Sequence, residues 1–270
     1  MTTADLDRFL SGQALYGDDF GPQQLIAWYA GEAEGYSSTD HADAQAPIYY
    51  YHALSDRTGF SYLPAGRRFD AALGVGSAFA EEYEPIRQRI GSLVVLDPST
   101  KFVRETVHGI PVRYVRPDPS GKMSFADQTF DLITCFGVLH HIANVSTVVG
   151  ELARVLRPDG FALLREPIIS MGDWRHPRSG LTRNERGIPL NVFRRIIDES
   201  GLAVVAETLT TFGPLGSLSR RLKLSTFNSP TLTSIDLGLS RLFGANTRYH
   251  RVSFLQKIGP TGVAYVLRRK

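Results

Sequence analysis

Short apolar runs alternate with segments of helical spacing through the middle of the chain. The run FDAALGVG, which begins at Phe69, ends in glycines and predicts a buried strand that leads into a turn. GSLVVLDPS predicts a second buried strand that ends at Asp97, and VRYVRP, FDLITCFGVLHH and FALLREP predict a third, a fourth and a fifth. The segments FAEEYEPIRQRIG and NVSTVVGELARVLRPDG between them have the spacing of helices. Strands that alternate with helices indicate βαβ units and a parallel sheet.

The N-terminal segment departs from this alternation. Residues 1–64 are polar and aromatic and contain a helix-length stretch that is expected to start after Asp18 or Asp19. They predict a small helical N-terminal lid.

The C-terminal part begins with a long polar loop at residues 168–190. It continues with a helix (LNVFRRIIDESG), a sixth strand (LAVVAETLT), an insertion at 212–257 and a seventh strand (GVAYVLRRK). The predicted fold is therefore α/β, a Rossmann-like, doubly wound sheet of seven mostly parallel strands in a main domain at residues 65–270.

Composition excludes several classes of protein. The 270 residues are 43% hydrophobic and 21% charged, as in an ordinary globular protein, and the net charge of +3 is too small to indicate nucleic acid. The single cysteine, Cys135, excludes an internal disulfide framework and a multi-cysteine zinc site. The first residues show no basic segment followed by an apolar one, the pattern of a signal peptide, and no apolar run reaches the roughly 18 residues that span a bilayer. We therefore expect a cytoplasmic protein without a membrane span or a nucleic-acid partner.

A glycine turn and a carboxylate after the second strand predict a nucleoside site. In Leu73-Gly74-Val75-Gly76-Ser77, the two glycines allow a tight turn and a close approach of the backbone to a ligand. Asp97 lies 21 residues beyond Gly76, where a carboxylate can accept both ribose hydroxyls. The same features fit enzymes that use NAD. A strand–turn–helix unit that binds no ligand is a further alternative. Short-chain dehydrogenases have a tyrosine followed four positions later by a lysine. No tyrosine of this chain has such a lysine, which weakens the case for NAD.

A continuous stretch from Met123 to Pro167 resembles class I methyltransferases that depend on S-adenosylmethionine (methyltransferase type 11-like), in the branch that acts on small molecules and sugars. The resemblance implies S-adenosylmethionine as cofactor and S-adenosylhomocysteine as product. The matching motifs are Met123-Ser124-Phe125, Thr129-Phe130-Asp131, Val138-Leu139-His140-His141 and Arg154 to Gly160.

By this resemblance, the turn lines the methionyl part of the cofactor, Asp97 holds the ribose, and the loop around Gly121 meets the adenine. Two positions depart from the family pattern, because Ala72 replaces an acid and Ala78 replaces the third glycine. Glu81 or Glu82 is a candidate for the missing partner of the methionyl amino group. The implied cofactor residues are Leu73, Gly74, Val75, Gly76, Ser77, Asp97, Pro98, Ser99, Ser120, Gly121, Met123, Phe136 and Gly137.

Transfer of a methyl group to a hydroxyl needs a proton acceptor, and His140 and His141 follow the fourth strand at the ligand-binding edge. We expect one of them, His141 in preference, to face the pocket, paired with Glu166 after the fifth strand as in some sugar O-methyltransferases. Packing or capping by the histidines, and a salt bridge from Glu166 to an arginine, are the alternatives.

The loop at 168–190 combines tryptophan, glycine and several arginines, which predicts a substrate lid for a polar or anionic acceptor. An arginine–carboxylate network that only holds the loop is the alternative. The candidate substrate residues are Arg165, Asp173, Trp174, Arg175 and Arg178.

The leading hypothesis is O-methylation of a sugar, glycan or other polar small molecule. The alternatives are C- or N-methylation of another metabolite, a cofactor-binding protein without catalysis and, more remotely, an oxidoreductase. No metal site is predicted, and a homodimer stays open.

Overall fold

The computed structural model describes residues 3–38, 49–174, 176 and 178–270, with the side chains of 3, 4 and 33–38 left aside. Arg175, one of the candidate substrate residues, lies outside the described residues. One sheet of eight strands, in the order β3-β4-β2-β1-β5-β6-β8-β7, forms the centre of the molecule. Its strands are β1 (Phe69–Val75), β2 (Ile90–Leu96), β3 (Thr106–Val107), β4 (Ile110–Val115), β5 (Phe130–Phe136), β6 (Leu156–Pro167), β7 (Leu202–Phe212) and β8 (Pro260–Arg269).

The predicted Rossmann-like, mostly parallel sheet is confirmed. Strands β4, β2, β1, β5 and β6 pair in parallel, whereas β8 runs antiparallel to both β6 and β7. The eighth strand, which the sequence analysis did not predict, is the two-residue β3, paired antiparallel with β4 through Val107 and Ile110. It extends the sheet at its edge and leaves the order of the other strands unchanged.

The described residues form seven α-helices. They are α1 (Thr3–Leu10), α2 (Pro22–Ser38), α3 (His52–Thr58), α4 (Val145–Val155), α5 (Leu190–Glu199), α6 (Gly213–Leu222) and α7 (Pro230–Leu242). The predicted helix after the glycine turn is instead a 3₁₀ helix at Glu81–Arg89 that contains Pro85. Proline lacks the N–H of a helical hydrogen bond and its ring clashes with the preceding turn, which opposes a regular α-helix there.

Each face of the sheet has its own hydrophobic core. Helix α4 buries Val145, Val148, Val149 and Leu152 against one face, together with α5. The other face packs around Tyr83 and the aromatic residues near the start of β1. Within the described ranges, no helix is both long and apolar enough to cross a membrane. The boundary of the N-terminal lid at residue 64 stays a prediction.

Candidate functional site

Two neighbouring cavities lie at the carboxyl ends of β1, β2, β5 and β6. We call the first the Asp97 cavity, because Asp97 lines it together with Met123 and His141. The second, the Arg165 cavity, has a volume of about 490 Å³ and is also lined by His140 and Gly137. Val75 and Gly76 line both cavities, so the glycine turn forms their common wall.

The glycine turn is packed too tightly for side chains at its key position. Gly76 has a φ of +61°, and a Cβ there would lie 2.5 Å from a methyl carbon of Val138. Its N–H donates to the carbonyl of Leu96, which ties the turn to the end of β2. Ala78, where the family has a third glycine, has a φ of +47°. The backbone thus keeps the left-handed conformation that favours glycine, although the residue is alanine.

Asp97 is a buried carboxylate at the end of β2, 7% exposed. Its two oxygens accept hydrogen bonds from the N–H groups of Ala78 (3.1 Å) and Ser99 (2.9 Å). Burial raises the pKa of Asp97, and these two hydrogen bonds oppose the shift. A carboxylate has about four lone-pair sites, so this one keeps acceptor capacity for further donors in the cavity. The residue fits the hydroxyl groups of a ribose.

The remaining predicted cofactor residues separate into two groups. Leu73 is fully buried in the core, and neither Gly74, Ser99 nor Ser120 lines either cavity. A Cβ on Gly74 would lie 2.4 Å from the Ser77 hydroxyl, so this glycine serves the packing of the turn. The predicted residues that do line a cavity are Val75, Gly76, Asp97, Pro98, Gly121 and Met123 for the Asp97 cavity, and Val75, Gly76, Ser77, Phe136 and Gly137 for the Arg165 cavity.

Glu82 is a buried acid beside the glycine turn and lines the Arg165 cavity. Thr134 donates its hydroxyl to a Glu82 oxygen at 3.3 Å, and Tyr83, next in the chain, shares a 2.8 Å hydrogen bond with the same threonine. Burial raises the pKa of Glu82 to about 7. Ala72, where the family has its acid, is fully buried in the core. Glu82 therefore places a carboxyl group at the turn from the following helix.

Glu166 holds the short turn that follows β5. One of its oxygens accepts the N–H groups of Val138 (2.9 Å) and Leu139 (2.8 Å), and the other lies 2.7 Å from Nδ1 of His140. The expected pairing of Glu166 with His141 is therefore wrong in geometry, since the carboxylate contacts the first histidine. No arginine or lysine pairs with it among the described residues. Glu166 lies near the end of β6 and His140 lies in the turn after β5. Because β5 and β6 are neighbouring parallel strands, they bring the two side chains together.

The two histidines face different cavities. His140 is 8% exposed and lines the Arg165 cavity, whereas His141 lines the Asp97 cavity. Burial lowers the pKa of His140, but its contacts with Glu166 and Glu185 outweigh this and raise the pKa to about 9.

Glu32, from α2, is a site residue that the sequence analysis missed. One of its oxygens lies 3.0 Å from Nδ1 of His141 and accepts the hydroxyl of Thr182 at 2.6 Å. The other accepts the N–H of Asn184 at 3.1 Å. Trp28, one turn earlier on the same helix, donates its indole N–H to the carbonyl of His141 at 2.7 Å. No local signal marked Glu32, because its partners lie far along the chain.

Glu185, from the arginine-rich loop, completes a cluster with the two histidines. Its oxygen Oε1 lies 3.6 Å from Nε2 of His140. One potential ligand atom from each of His140, His141 and Glu185 lies within 4.8 Å of the others.

Arg186 is fully buried and binds the turn after β5 through main-chain oxygens. Its guanidinium donates to the carbonyls of His140, Ala143 and Tyr16, each at 3.0 Å. Burial lowers its pKa to about 10. Within the described residues, Arg186 thus ties the loop to this turn through hydrogen bonds to main-chain carbonyls.

The other described candidate residues of the predicted substrate loop contact mainly the protein itself. Trp174 is 7% exposed and stacks on Tyr16 with ring centroids 5.5 Å apart, so its face is covered by the N-terminal segment. Arg178 donates to the carbonyls of Met171, Thr182 and Arg183 within its own loop. Asp173 is part of the same loop and lines neither of the two cavities. Trp174, a candidate substrate residue, therefore lines neither of the two cavities.

Arg165 is the described candidate substrate residue that lines a cavity at the strand ends. Its guanidinium donates to the hydroxyls of Ser55 (2.9 Å) and Tyr49 (3.3 Å) and lies 4.7 Å from the ring centroid of Phe136. None of the ion pairs among the described residues involves it. Within the described part of the chain, this cation forms no close ion pair, although its charge lowers the pKa of Glu82, which lines the same cavity.

Comparisons with known proteins identify what the chain is similar to. Residues 71–164 match the family model described as Methyltransferase domain. The chain is 23% identical to the 2-methyl-6-phytyl-1,4-hydroquinone methyltransferase of Synechocystis sp. over 161 residues, which cover 57% of this chain and 46% of that protein. The matches span less than half the length of the first curated relatives.

Two solved structures share the fold. An S-adenosylmethionine dependent methyltransferase from Mesorhizobium loti aligns with a TM-score of 0.52 and 15% identity over 80% of this chain and 98% of its own. The 1,6-didemethyltoxoflavin-N1-methyltransferase of Burkholderia thailandensis, solved with S-adenosylhomocysteine, aligns with a TM-score of 0.52 and 14% identity over 93% and 91% of the two chains. At these identities the likeness shows the fold.

Proposed function

Because residues 71–164 are a class I methyltransferase domain, we propose that the protein is an enzyme that transfers a methyl group from S-adenosylmethionine to a hydroxyl of a polar small molecule, with a sugar or glycan as the favoured acceptor. The observation that supports a hydroxyl acceptor is the pair formed by His140 and Glu166. Nδ1 of the histidine lies 2.7 Å from the carboxylate, and both residues line the Arg165 cavity.

The Asp97 cavity fits the nucleoside end of the cofactor. Its carboxylate is buried and keeps acceptor capacity, and the apolar side chains of Met123, Val148 and Ile142 can cover a base. Gly76 leaves the wall between the cavities free of a side chain. We assign Asp97 to the ribose hydroxyls and Glu82 to the methionyl amino group, in place of the acid that Ala72 replaces.

The chemistry divides between cofactor and protein. S-adenosylmethionine supplies an electrophilic methyl group on a sulfonium, and in-line displacement needs mainly orientation and the exclusion of water. Glu166 lies 2.7 Å from Nδ1 of His140 and, with Glu185, raises the pKa of the ring to about 9, so Nε2 accepts a proton only after the imidazolium has lost its own. His140 therefore takes the proton of the acceptor hydroxyl, while His141 joins the turn to α2.

Arg165 supports a polar or anionic acceptor. Its guanidinium faces the cavity beside tyrosine and serine hydroxyls, and arginine donors recognise carboxylates, phosphates and hydroxyl-rich ligands. Transfer to carbon or nitrogen is the second candidate, because the curated relative acts on a hydroquinone and a structural neighbour is an N1-methyltransferase. In that case the histidines only orient the acceptor.

The test is a screen of nucleotide sugars, glycans, phenols and N-heterocycles with S-adenosylmethionine labelled at the methyl group, beside calorimetry with S-adenosylhomocysteine. We expect cofactor binding and label on a hydroxyl oxygen. Absence of binding at millimolar ligand would remove the enzyme proposal. Binding with label on nitrogen or carbon alone would support the second candidate.

A further inference from the structure

His140, His141 and Glu185 bring two imidazoles and a carboxylate to one place, with one potential ligand atom from each within 4.8 Å of the others. We propose that these three side chains bind a divalent transition-metal ion. The sequence alone predicts no metal site, because Glu185 belongs to a loop that only the fold brings back to the histidines.

The spacing suits coordination after small side-chain movements. Nε2 of His140 and Oε1 of Glu185 are 3.6 Å apart. Bonds of about 2.1 Å to a tetrahedral ion place two ligands roughly 3.4 Å apart. This pair is therefore almost at coordination distance, and His141 has its ligand atom within 4.8 Å of the other two.

The histidine rings already have the outer partners that metal sites use. Metal-binding imidazoles usually offer their other nitrogen to a carboxylate, which fixes the ring and raises its basicity. Nδ1 of His140 lies 2.7 Å from Glu166, and Nδ1 of His141 lies 3.0 Å from Glu32. Both carboxylates are buried, at 1% and 7% exposure.

The charge around the cluster favours a cation. Glu32, Glu166 and Glu185 surround the two rings, and the ion pairs to them within the described residues come from the histidines alone. The nearby guanidinium of Arg186 donates to main-chain carbonyls instead. Two imidazole nitrogens select Zn²⁺, Co²⁺ or Ni²⁺ over Mg²⁺ and Ca²⁺, which prefer oxygen ligands.

A bound ion regulates the site through His140. The ion takes the lone pair of Nε2, the same pair that accepts the proton of the hydroxyl, so a metal-loaded protein transfers methyl groups to hydroxyls more slowly. This consequence rests on the proposed function, whereas the metal site itself does not.

The test is titration of the purified full chain with Co²⁺, followed by calorimetry and by the visible absorption of the ion. We expect one bound Co²⁺ per chain with visible bands, and at least tenfold weaker binding in His140→Ala and in Glu185→Gln. His52→Gln is the matched control, because His52 pairs with Glu84 at 3.5 Å outside the cluster and its loss leaves Co²⁺ binding unchanged. Calorimetry with S-adenosylhomocysteine checks that each variant is folded.

Absence of Co²⁺ binding tighter than millimolar would overturn the metal site, as would undiminished binding in both cluster variants. If Co²⁺ binds in the cluster but turnover on a hydroxyl acceptor is unchanged, the competition at His140 is wrong. Because binding is measured without turnover, a failure of the proposed methyl transfer is separate from a failure of the metal site.

Discussion

Glu32 Oε2 lies 3.0 Å from Nδ1 of His141, although 109 residues separate the two in the chain. Together with Thr182 and Asn184, this carboxylate joins α2, the turn after β5 and the arginine-rich loop at one point. The same helix covers the Asp97 cavity through Trp28. Helix α2 thus connects the wall of the Asp97 cavity to the turn that contains His140 and His141.

Replacement of Glu32 should loosen this connection. Glu32→Gln loses a charged acceptor, and hydrogen bonds to charged groups contribute roughly 1.5–3 kcal/mol. We expect a loss of stability of about 1–3 kcal/mol in urea unfolding and faster hydrogen exchange in α2 and residues 182–186. Glu84→Gln, at an exposed acid that also pairs with a histidine, is the control and should change stability by less than about 0.5 kcal/mol. Equal effects of both variants would contradict the role of Glu32.

Asp97 should control the affinity for the nucleoside. In Asp97→Asn the carboxylate charge is lost, and we expect the Kd of S-adenosylhomocysteine to rise roughly 10- to 100-fold, as the energy of charge-assisted hydrogen bonds indicates. Calorimetry measures the change. Asp159→Asn, an exposed acid paired with Arg67, should leave the Kd as it is. An unchanged Kd in Asp97→Asn would remove the ribose assignment.

Glu82 should distinguish ligands by their amino group. We expect Glu82→Gln to weaken S-adenosylhomocysteine about tenfold while leaving 5′-methylthioadenosine, which lacks the amino acid part, unchanged. Glu81→Gln tests the other candidate, because Glu81 also lines the Arg165 cavity but already pairs with His108 at 3.3 Å. If both ligands weaken equally, Glu82 only supports the turn.

The assignment of Glu82 also predicts the direction in which the affinity for S-adenosylhomocysteine changes with pH. Burial raises the pKa of Glu82 to about 7, so the free protein carries a neutral carboxyl group below that pH. An ammonium group binds the ionised form, and affinity for S-adenosylhomocysteine should therefore rise roughly tenfold per pH unit below about pH 7 and then level off. In Glu82→Gln the slope should vanish, and a slope that persists would place the titration elsewhere.

Ala78 should be a position where glycine stabilises the fold. Its φ of +47° costs an L-residue roughly 1–2 kcal/mol relative to the right-handed region. Ala78→Gly relieves this cost but adds chain entropy to the unfolded state, so we expect a gain of about 0.5–1 kcal/mol in thermal unfolding. Ala71→Gly in strand β1 should destabilise by a similar amount. A loss of stability in Ala78→Gly would contradict the strain at this position.

Arg165 should affect the acceptor rather than the cofactor. In Arg165→Gln the cation of the cavity is lost, and the KM for a polar acceptor should rise roughly tenfold while the Kd of S-adenosylhomocysteine stays within twofold. Arg178→Gln is the contrast, because Arg178 binds carbonyls of its own loop. Equal effects on KM from the two variants would mean that loop order, and not the charge of Arg165, sets acceptor affinity.

Local sequence determined the central sheet and the cofactor side of the site. Apolar runs that end in glycine or aspartate placed β1 and β2 and put Gly76 and Asp97 at the same edge, because parallel strands end together. The periodicity of apolar residues and the composition of a short window are enough to predict a strand and the turn that follows it.

Only the tertiary structure decided which side chains meet at the turn after β5, which contains His140 and His141. The sequence favoured His141 and paired it with Glu166, but the register of β5 and β6 brings Glu166 to His140. Glu32 and Glu185 reach the same place from α2 and from a loop without regular period. Contacts between residues far apart in the chain depend on how the elements pack, and a side chain's local neighbours contain no signal for them.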